Sequence, residues 1–225
     1  MAPIKRTTRS PKKPSRRGKV ITLSMRPKII RATKPATKVK MKSASKASIN
    51  GNDPMEVLFF ASTKGEFGFL SQWAVTPFTS PDGTKYRSAE QYMMHQKAIV
   101  FEDEASAEKI LASNVQTTIK ALGRKIANFD DDIWSMYREK IVMDGTYLKF
   151  TQSDKKIAKE SLKEKLLQTG ERQLVEAAPW DKVWGIGFSA AEAPDHEEEW
   201  GLNLLGRALM SVRTIIRNGE SWVVG

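Results

Sequence analysis

The sequence of 225 residues contains no cysteine and only two histidines, His95 and His196. The absence of cysteine excludes disulfides, thiolate nucleophiles and cysteine-ligated zinc. The two histidines lie in unrelated contexts without the spacing of a shared metal site, so neither a metal nor another cofactor is predicted. No apolar run approaches the roughly 18 residues of a transmembrane helix, so no membrane partner is expected.

Acidic residues are missing from positions 1–48, which hold 16 of the 37 Lys and Arg residues. The rest of the chain therefore has 21 basic and 26 acidic residues, a net charge of −5, although the whole chain has a formal charge of +11. Five prolines lie among the Ser, Thr and Lys residues of the basic part, at positions 3, 11, 14, 27 and 35. This composition predicts a disordered basic arm over residues 1–50.

Basic arms bind polyanions, so nucleic acid is the predicted macromolecular partner. The stretch KRTTRSPKKPSRR fits a nuclear import signal equally well. The prolines disfavour the amphipathic helix of a mitochondrial presequence, so we expect the nucleus or cytoplasm rather than an organelle. The sequence assigns no oligomeric state.

Residues 54–219 are predicted to form one α+β domain, predominantly helical, with a small antiparallel β element. A strand is expected over Val57 to Phe60 and a hairpin around Pro81-Asp82-Gly83. Helices and strands do not alternate, which argues against a doubly wound parallel sheet. Helices are predicted from Ala89, near 104–112 and 115–123, along 130–150, over about 154–169 and from about 201 to 219.

Two of these helices have detailed patterns. Ser88 followed by Gln91 matches a capping box and predicts a helix that begins at Ala89. The stretch 130–150 carries an apolar stripe at helical spacing, which predicts a core-facing side. The stripe consists of Ile133, Trp134, Tyr137, Ile141, Val142 and Leu148.

Glu90 and Lys97 are expected on one face of the helix that begins at Ala89. Seven helical residues advance about 700°, so the two side chains point the same way, about 10 Å apart along the axis. Helical side chains tilt toward the N-terminus, which brings Lys97 back toward Glu90 over an apolar floor of Met93 and Met94. The pair is either a reaction centre or a solvated charge pair in which Glu90 satisfies the helix dipole.

Two later stretches contain residue types that suit a ribosyl ligand. WDKVWGIGF places Asp181 three residues before a Trp-Gly-x-Gly turn, which offers a ring for stacking and bare backbone for a phosphate or ribose. GLNLLGRALMSVR places Asn203 near a helix start, between two glycines. The alternatives are a turn hydrogen bond for Asp181, a core position for Trp184 and close helix packing at Gly206.

The ordered segments resemble the NADAR family of YbiA-like N-glycosidases over roughly residues 55–218. The segments are FFAS (59–62), FLSQWA (69–74), SAEQYMMHQKA (88–98), LGRKI (122–126), DKVWGIG (181–187) and GLNLLGRALMSVR (201–213). The resemblance implies hydrolysis of a ribose C1′–N bond. Some members act on phosphoribosylated riboflavin-pathway intermediates, and others remove ADP-ribose from guanine in nucleic acid.

The resemblance implies catalytic roles for Glu90 and Lys97, with Asp181 as the best second carboxylate. Three residues depart from the family pattern: Gln72-Trp73 replaces the commoner Asn-Phe, and Ile186 stands where some members have Asp. The residues expected to bind substrate are Ser62, Ser71, Gln72, Trp73, Trp134, Trp184, Gly185, Gly187, Asn203, Leu205 and Gly206.

Cleavage of a ribose C1′–N bond builds positive charge on C1′, which a carboxylate such as Glu90 stabilises, or Glu90 orients the attacking water. In a second route Lys97 attacks C1′ and forms a Schiff base while Glu90 moves the protons. Lys97 as a simple phosphate or ribose ligand is the alternative to that route.

The predicted function is removal of ADP-ribose from guanine in nucleic acid, with ADP-ribose or a ribosyl phosphate as the bound group. The basic arm favours this function because it attracts a phosphate backbone. The alternatives are a hydrolase of riboflavin-pathway intermediates, a non-catalytic ADP-ribose or nucleic-acid binding module, and a basic protein with an inert body. The arm itself could recruit substrate, direct localisation, or be held by the acidic loop 192–199 as an autoinhibitor.

Overall fold

A computed structural model describes residues 56–225, so the predicted arm and residues 54–55 lie outside the described residues. The strands are β1 (Val57–Phe60), β2 (Phe78–Thr79), β3 (Lys85–Tyr86), β4 (Lys156–Ile157), β5 (Glu160–Ser161) and β6 (Gln173–Glu176). The helices are α1 (Ala89–Val100), α2 (Glu104–Ala112), α3 (Gln116–Gly123), α4 (Asp131–Gln152), α5 (Leu162–Leu167) and α6 (Leu204–Arg217). Among these helices, none is both long enough and apolar enough to cross a membrane.

The described part is predominantly helical with small β elements, which confirms the predicted α+β class. Helix α1 packs against α2, α3 and α4, and α6 packs against α4 and β6. The hairpins β2–β3 and β4–β5 are antiparallel. The pair β1–β6 is parallel, and its two strands lie more than a hundred residues apart in the sequence, with Phe60 opposite Glu176. This long-range parallel pair was not predicted, and it matters because it brings Glu176 to the site described below.

The start of α1 is fixed by two side chains of the predicted capping box. The Ser88 hydroxyl accepts a hydrogen bond from the Gln91 N–H at 3.1 Å, which confirms the predicted cap. The side-chain oxygen Oε1 of Gln91 accepts from the backbone N–H of Arg87, one residue before the cap. Its amide nitrogen donates to the Ile110 carbonyl at 2.9 Å, at the end of α2. Gln91 therefore ties the first turn of α1 to α2.

The prediction of a helix over residues 154–169 is wrong for its first half. Residues 156–161 form the hairpin β4–β5, whose turn residues Ala158 and Lys159 both have positive φ. Ser161 and Glu164 then form a complete capping box, so α5 begins only at Leu162. The Lys- and Glu-rich composition favoured a helix locally, but the turn and the cap determine where it starts.

The predicted core stripe of α4 holds except at its N-terminal end. Ile141, Val142 and Leu148 are buried, and Tyr137 packs against the core from a partly buried position. Ile133 is 40% exposed, so its predicted core position is wrong. Trp134 is buried in the core as predicted, and it also lines a pocket described below.

Candidate active site

A pocket of about 390 Å³ opens beside the N-terminal half of α1. One wall is the predicted face of α1, which contributes Glu90, Met93, Met94 and Lys97. The other walls come from α3, the first two turns of α4 and the segment that follows β6. The structure therefore places the Glu90–Lys97 face at a cavity rather than on an open helix surface.

Glu90 is held at the pocket by the turn of the chain before α1. Its backbone N–H donates to the Gln72 carbonyl at 3.0 Å, and its side chain is only 3% exposed. Burial raises the pKa of the Glu90 carboxyl to about 7; Asp181 adds to this rise, whereas Lys120 opposes it. A carboxyl with a pKa near neutrality is suited to exchange protons during a reaction.

Behind Gln72, a buried lysine fixes the same segment. The Lys149 ammonium group donates to the Ser71 carbonyl at 2.8 Å and lies next to the Leu70 carbonyl. Lys149 is fully buried, and this burial lowers its pKa to about 7. Lys149 therefore positions the turn that anchors Glu90, a role that was not predicted from the sequence.

Glu176 is a second pocket carboxylate that the sequence analysis missed. It ends β6 and lines the pocket, and its buried Oε2 has no hydrogen-bond partner within the described residues. Burial, together with the charges of Asp181 and Glu90, raises the pKa of Glu176 to about 8. Its only sequence signal is a lone glutamate in the otherwise apolar stretch LVEAA, because its partners are distant in the chain.

Asp181 also lines the pocket, but its carboxylate is engaged by the backbone. Its Oδ1 accepts hydrogen bonds from the N–H groups of Val183 at 3.1 Å and Trp184 at 2.9 Å. Asp181 thus holds the turn and also places a negative charge near Glu90 and Glu176. The unsatisfied carboxylate of Glu176 is the better candidate for direct chemistry.

Lys97 reaches the pocket at the far end of the α1 face. Its ammonium group donates to the Gly123 carbonyl at 3.1 Å and lies 3.9 Å from the centre of the Phe129 ring. Burial lowers the pKa of Lys97 below its usual range, against the opposing charge of Asp131. A lysine with a lowered pKa supplies more of the neutral amine, which is the nucleophilic form.

Three further cations line the pocket: Lys120, Arg124 and Arg138. Lys120 lies 5.2 Å from the centre of the Trp73 ring. The guanidinium group of Arg138 has a buried Nε that lacks a hydrogen-bond partner within residues 56–225. Such a guanidinium can bind a carboxylate or phosphate by donating two parallel hydrogen bonds. None of these three residues was predicted as a site residue from the sequence.

The predicted aromatic residues Trp73, Trp134 and Trp184 all line the pocket, as does the side chain of Gln72. Trp134 is buried, whereas the other two tryptophans are partly exposed. The pocket therefore combines flat apolar surfaces with charged groups, which suits a ligand that has rings and phosphates.

The other predicted binding residues do not line the pocket, and their contacts are with protein. Ser62 is exposed, and the Ser71 hydroxyl accepts a hydrogen bond from the Trp73 N–H. Gly187 has a φ of +83°, and a Cβ at Gly185 would lie 2.5 Å from the Glu176 carbonyl. Gly185 thus allows the Trp-Gly-x-Gly turn to pass close to β6, and Gly187 supplies its left-handed backbone conformation.

Asn203, Leu205 and Gly206 form the junction between α6 and β6. Leu205 is buried in the core, and a Cβ at Gly206 would lie 2.1 Å from the Leu174 carbonyl. The Asn203 side chain donates to the same carbonyl at 2.9 Å. These residues support the strand that carries Glu176 rather than the ligand itself.

A metal centre has no candidate ligands in the described part of the chain. Across residues 56–225, no three His, Asp or Glu side chains are grouped so that they could hold a metal ion.

Comparison with known proteins agrees with this architecture. The N-glycosidase R617 of Acanthamoeba polyphaga mimivirus is 40% identical over 165 residues, which are 70% of this chain and 94% of the relative. The N-glycosidase Npun_R5314 of Nostoc punctiforme is 34% identical over 136 residues, 60% of this chain and 77% of the relative. The NMR structure of Escherichia coli YbiA matches with a TM-score of 0.57 at 27% identity, covering 75% of this chain and 90% of YbiA. Since the NADAR domain model also matches residues 58–217, the chain belongs to the NADAR domain family.

Proposed function

We propose that this protein is an N-glycosidase that hydrolyses the C1′–N bond of a ribosyl group, with ADP-ribosylated guanine in nucleic acid as its substrate. The observation that carries the proposal is the pairing of Glu90 and Glu176 in one pocket, both with raised pKa values. Two carboxyl groups in such surroundings are the usual equipment for glycosidic bond cleavage. The names of the mimivirus and Nostoc relatives support the same bond class.

The two carboxyl groups have different tasks in this proposal. Burial and the charges of Asp181 and Glu90 raise the pKa of Glu176, and its Oε2 has no hydrogen-bond partner among the described residues, so Glu176 holds a proton and donates it to the leaving nitrogen. Lys120 and Arg124 favour the charged form of Glu90, which as a carboxylate faces the positive charge that develops on C1′ and the ring oxygen. Departure of the base as a neutral molecule requires this proton.

Lys97 supplies the nucleophile. Its neutral amine attacks C1′ as the C1′–N bond to the base breaks, and Glu90 takes the proton released by the new C–N bond. Glu90 returns this proton to the ring oxygen as the bond from that oxygen to C1′ breaks, and the open sugar stays on Lys97 as a protonated imine. Water adds to the imine carbon, the amine departs, and the sugar is released as the free aldehyde that closes to ribose.

The cations of the pocket support a phosphorylated substrate. Lys120, Arg124 and Arg138 line the pocket, and the unpartnered Nε of Arg138 is a donor available to a phosphate. The 16 basic residues at positions 1–48 add affinity for a polynucleotide, which a free nucleotide substrate would not need. This charge distribution favours ADP-ribosylated nucleic acid over a small riboflavin-pathway intermediate.

A direct comparison of substrates tests the proposal. The protein is incubated with an oligonucleotide that carries ADP-ribosyl guanine and, separately, with a phosphoribosylaminopyrimidine, and release of the sugar is measured by chromatography. We expect faster release from the oligonucleotide and no release by Glu90→Gln. Release from the pyrimidine alone would show that the substrate is the small riboflavin-pathway intermediate. Binding of either compound without release of sugar would show that the protein is a binding module and not an enzyme.

A further inference from the structure

Trp180 combines a strained backbone with an exposed ring at the mouth of the pocket. Its φ is +71°, a region that bulky residues other than glycine seldom adopt. Its side chain is 97% exposed, yet it is one of the residues that line the pocket. The strain is therefore not offset by burial of the ring in the protein, and strained residues of this kind cluster at ligand sites.

The backbone on both sides of Trp180 is fixed. Pro179 forms a parallel bridge with Gly187, and the N–H of Asp181 donates to the Ala178 carbonyl at 3.3 Å. The Asp181 carboxylate is held in turn by the N–H groups of the following turn. The ring at position 180 is thus presented from a well-anchored turn, next to the acid that raises the pKa values of both catalytic carboxyl groups.

We infer that Trp180 is a stacking platform for a purine ring of the substrate, outside the chamber that holds Glu90 and Glu176. The inference rests on the proposed function and adds a second recognition element to it. The indole ring is exposed to water in the free protein. A flat ligand that stacks on it removes the apolar surface of the ring from water, and base–indole stacking is favourable for this reason. The purine is either the leaving guanine or the adenine of ADP-ribose, since both are flat and both belong to the substrate.

The variants Trp180→Gly and Trp180→Phe separate ligand stacking from a structural role. Glycine adopts positive φ without steric cost, so the Gly variant should unfold at the same temperature as the wild type or a higher one. The KM for the ADP-ribosylated oligonucleotide should rise roughly tenfold, in the range of a lost base–aromatic stack, with kcat changed by less than about threefold. Phe retains a ring, so Trp180→Phe should keep most of the affinity.

Met136→Ala is the matched control, because Met136 is 71% exposed on α4 and does not line the pocket. It should leave both KM and kcat at the wild-type values. A Trp180→Gly protein with an unchanged KM would overturn the inference. A Gly variant that unfolds at a lower temperature and loses kcat rather than affinity would also overturn it, because that result indicates a structural role.

A binding experiment identifies the purine and does not depend on turnover. AMP, GMP and ribose 5-phosphate are titrated calorimetrically into Glu90→Gln protein with and without Trp180→Gly. Selective loss of AMP affinity assigns the ring to adenine, and selective loss of GMP affinity assigns it to the leaving base; ribose 5-phosphate should bind equally to both proteins. Trp180-dependent purine binding without cleavage would contradict the proposed function alone, and cleavage with no Trp180 effect on either nucleotide would contradict this inference alone.

Discussion

The side-chain oxygen of Asn203 accepts a hydrogen bond from the backbone N–H of Glu176 at 3.0 Å. The amide nitrogen of Asn203 donates to the Leu174 carbonyl at 2.9 Å, so one side chain fixes two points of β6. Asn203 itself has a left-handed φ of +48°, immediately before α6. The residue that precedes α6 therefore sets the position of Glu176, whose carboxyl group the proposed reaction needs.

Asn203→Gly should weaken both stability and catalysis. Glycine retains the left-handed φ, so the change removes only the amide and leaves the Glu176 N–H and the Leu174 carbonyl without their partner. Loss of the two hydrogen bonds should lower the free energy of unfolding by about 2 kcal/mol. Because Glu176 is then less well held, kcat should fall and the alkaline limb of the pH–rate profile should move.

The control is Asn218→Ala, which removes an exposed amide near the other end of α6 that bonds only to Glu220. It should change neither the pH profile nor kcat. Urea unfolding and pH-dependent kinetics on the same preparations provide the comparison. An Asn203→Gly protein with reduced stability but a wild-type pH profile would limit Asn203 to a structural role.

Glu90→Gln should abolish turnover and increase stability at alkaline pH. Folding raises the pKa of Glu90 from 4.5 to about 7. Between these pH values the folded protein keeps a proton on Glu90 that the unfolded chain has already lost. The stability associated with this carboxyl is complete below about pH 4.5 and is lost as the pH rises through about 7. Glutamine needs no proton, so the variant should exceed the wild type by on the order of 3 kcal/mol at pH 8 and equal it at pH 4.5. Glu139→Gln, at an exposed position of α4, is the control for both measurements.

The rate should depend on pH through three groups, because the reaction needs an ionised Glu90, a protonated Glu176 and the neutral amine of Lys97. Activity rises as Glu90 ionises near pH 7 and falls as Glu176 loses its proton near pH 8, which gives a narrow optimum between them. Glu176→Gln should lower kcat and remove the alkaline limb while the acid limb remains. The measurement is kcat/KM from pH 5 to 10; an alkaline limb that persists in Glu176→Gln would assign the proton donor to another group.

The features that depend on neighbouring residues could be predicted from the sequence. The Ser88 cap, the shared face of Glu90 and Lys97 and the methionines between them all follow from helical geometry over ten residues. Trp134 could be placed on an inward face and was expected at a substrate site, and the structure places it at the pocket. Local composition also misled at 154–161, where a turn with positive φ interrupts residues that favour a helix.

Glu176 could not be identified from the sequence because its environment is assembled from distant segments. Its strand pairs with β1, more than a hundred residues earlier, and its N–H is held by Asn203. Arg138 was missed for a similar reason, since an arginine in the middle of a long helix is ordinarily solvated. The role of Trp180 could not be predicted either, because its φ and its exposure are visible only in the folded chain.

Lys97 should be trapped on the substrate by borohydride. Reduction of the proposed imine joins the open sugar to Nζ, and peptide mass spectrometry should find the added mass on the fragment that contains Lys97. Lys97→Arg keeps the charge but should form no adduct and should lose turnover, whereas Lys109→Arg, at an exposed position of α2, should behave like the wild type. Intact turnover under conditions where wild-type protein forms no adduct would exclude the imine and leave Lys97 as a ligand of the substrate.

Deletion of residues 1–48 should separate recruitment from catalysis. The deleted part carries 16 positive charges and no negative ones, so its loss should reduce affinity for the oligonucleotide and flatten the dependence of that affinity on salt. If the arm makes about six phosphate contacts, the affinity of the full chain should fall roughly 10³-fold between 50 and 200 mM salt, and that of the shortened chain far less. Cleavage of a free ADP-ribosylated guanine nucleotide should be unchanged, because the pocket lies in the remaining domain. A gain in activity on both substrates would instead show that the arm inhibits the pocket, and equal salt dependence of the two chains would contradict recruitment.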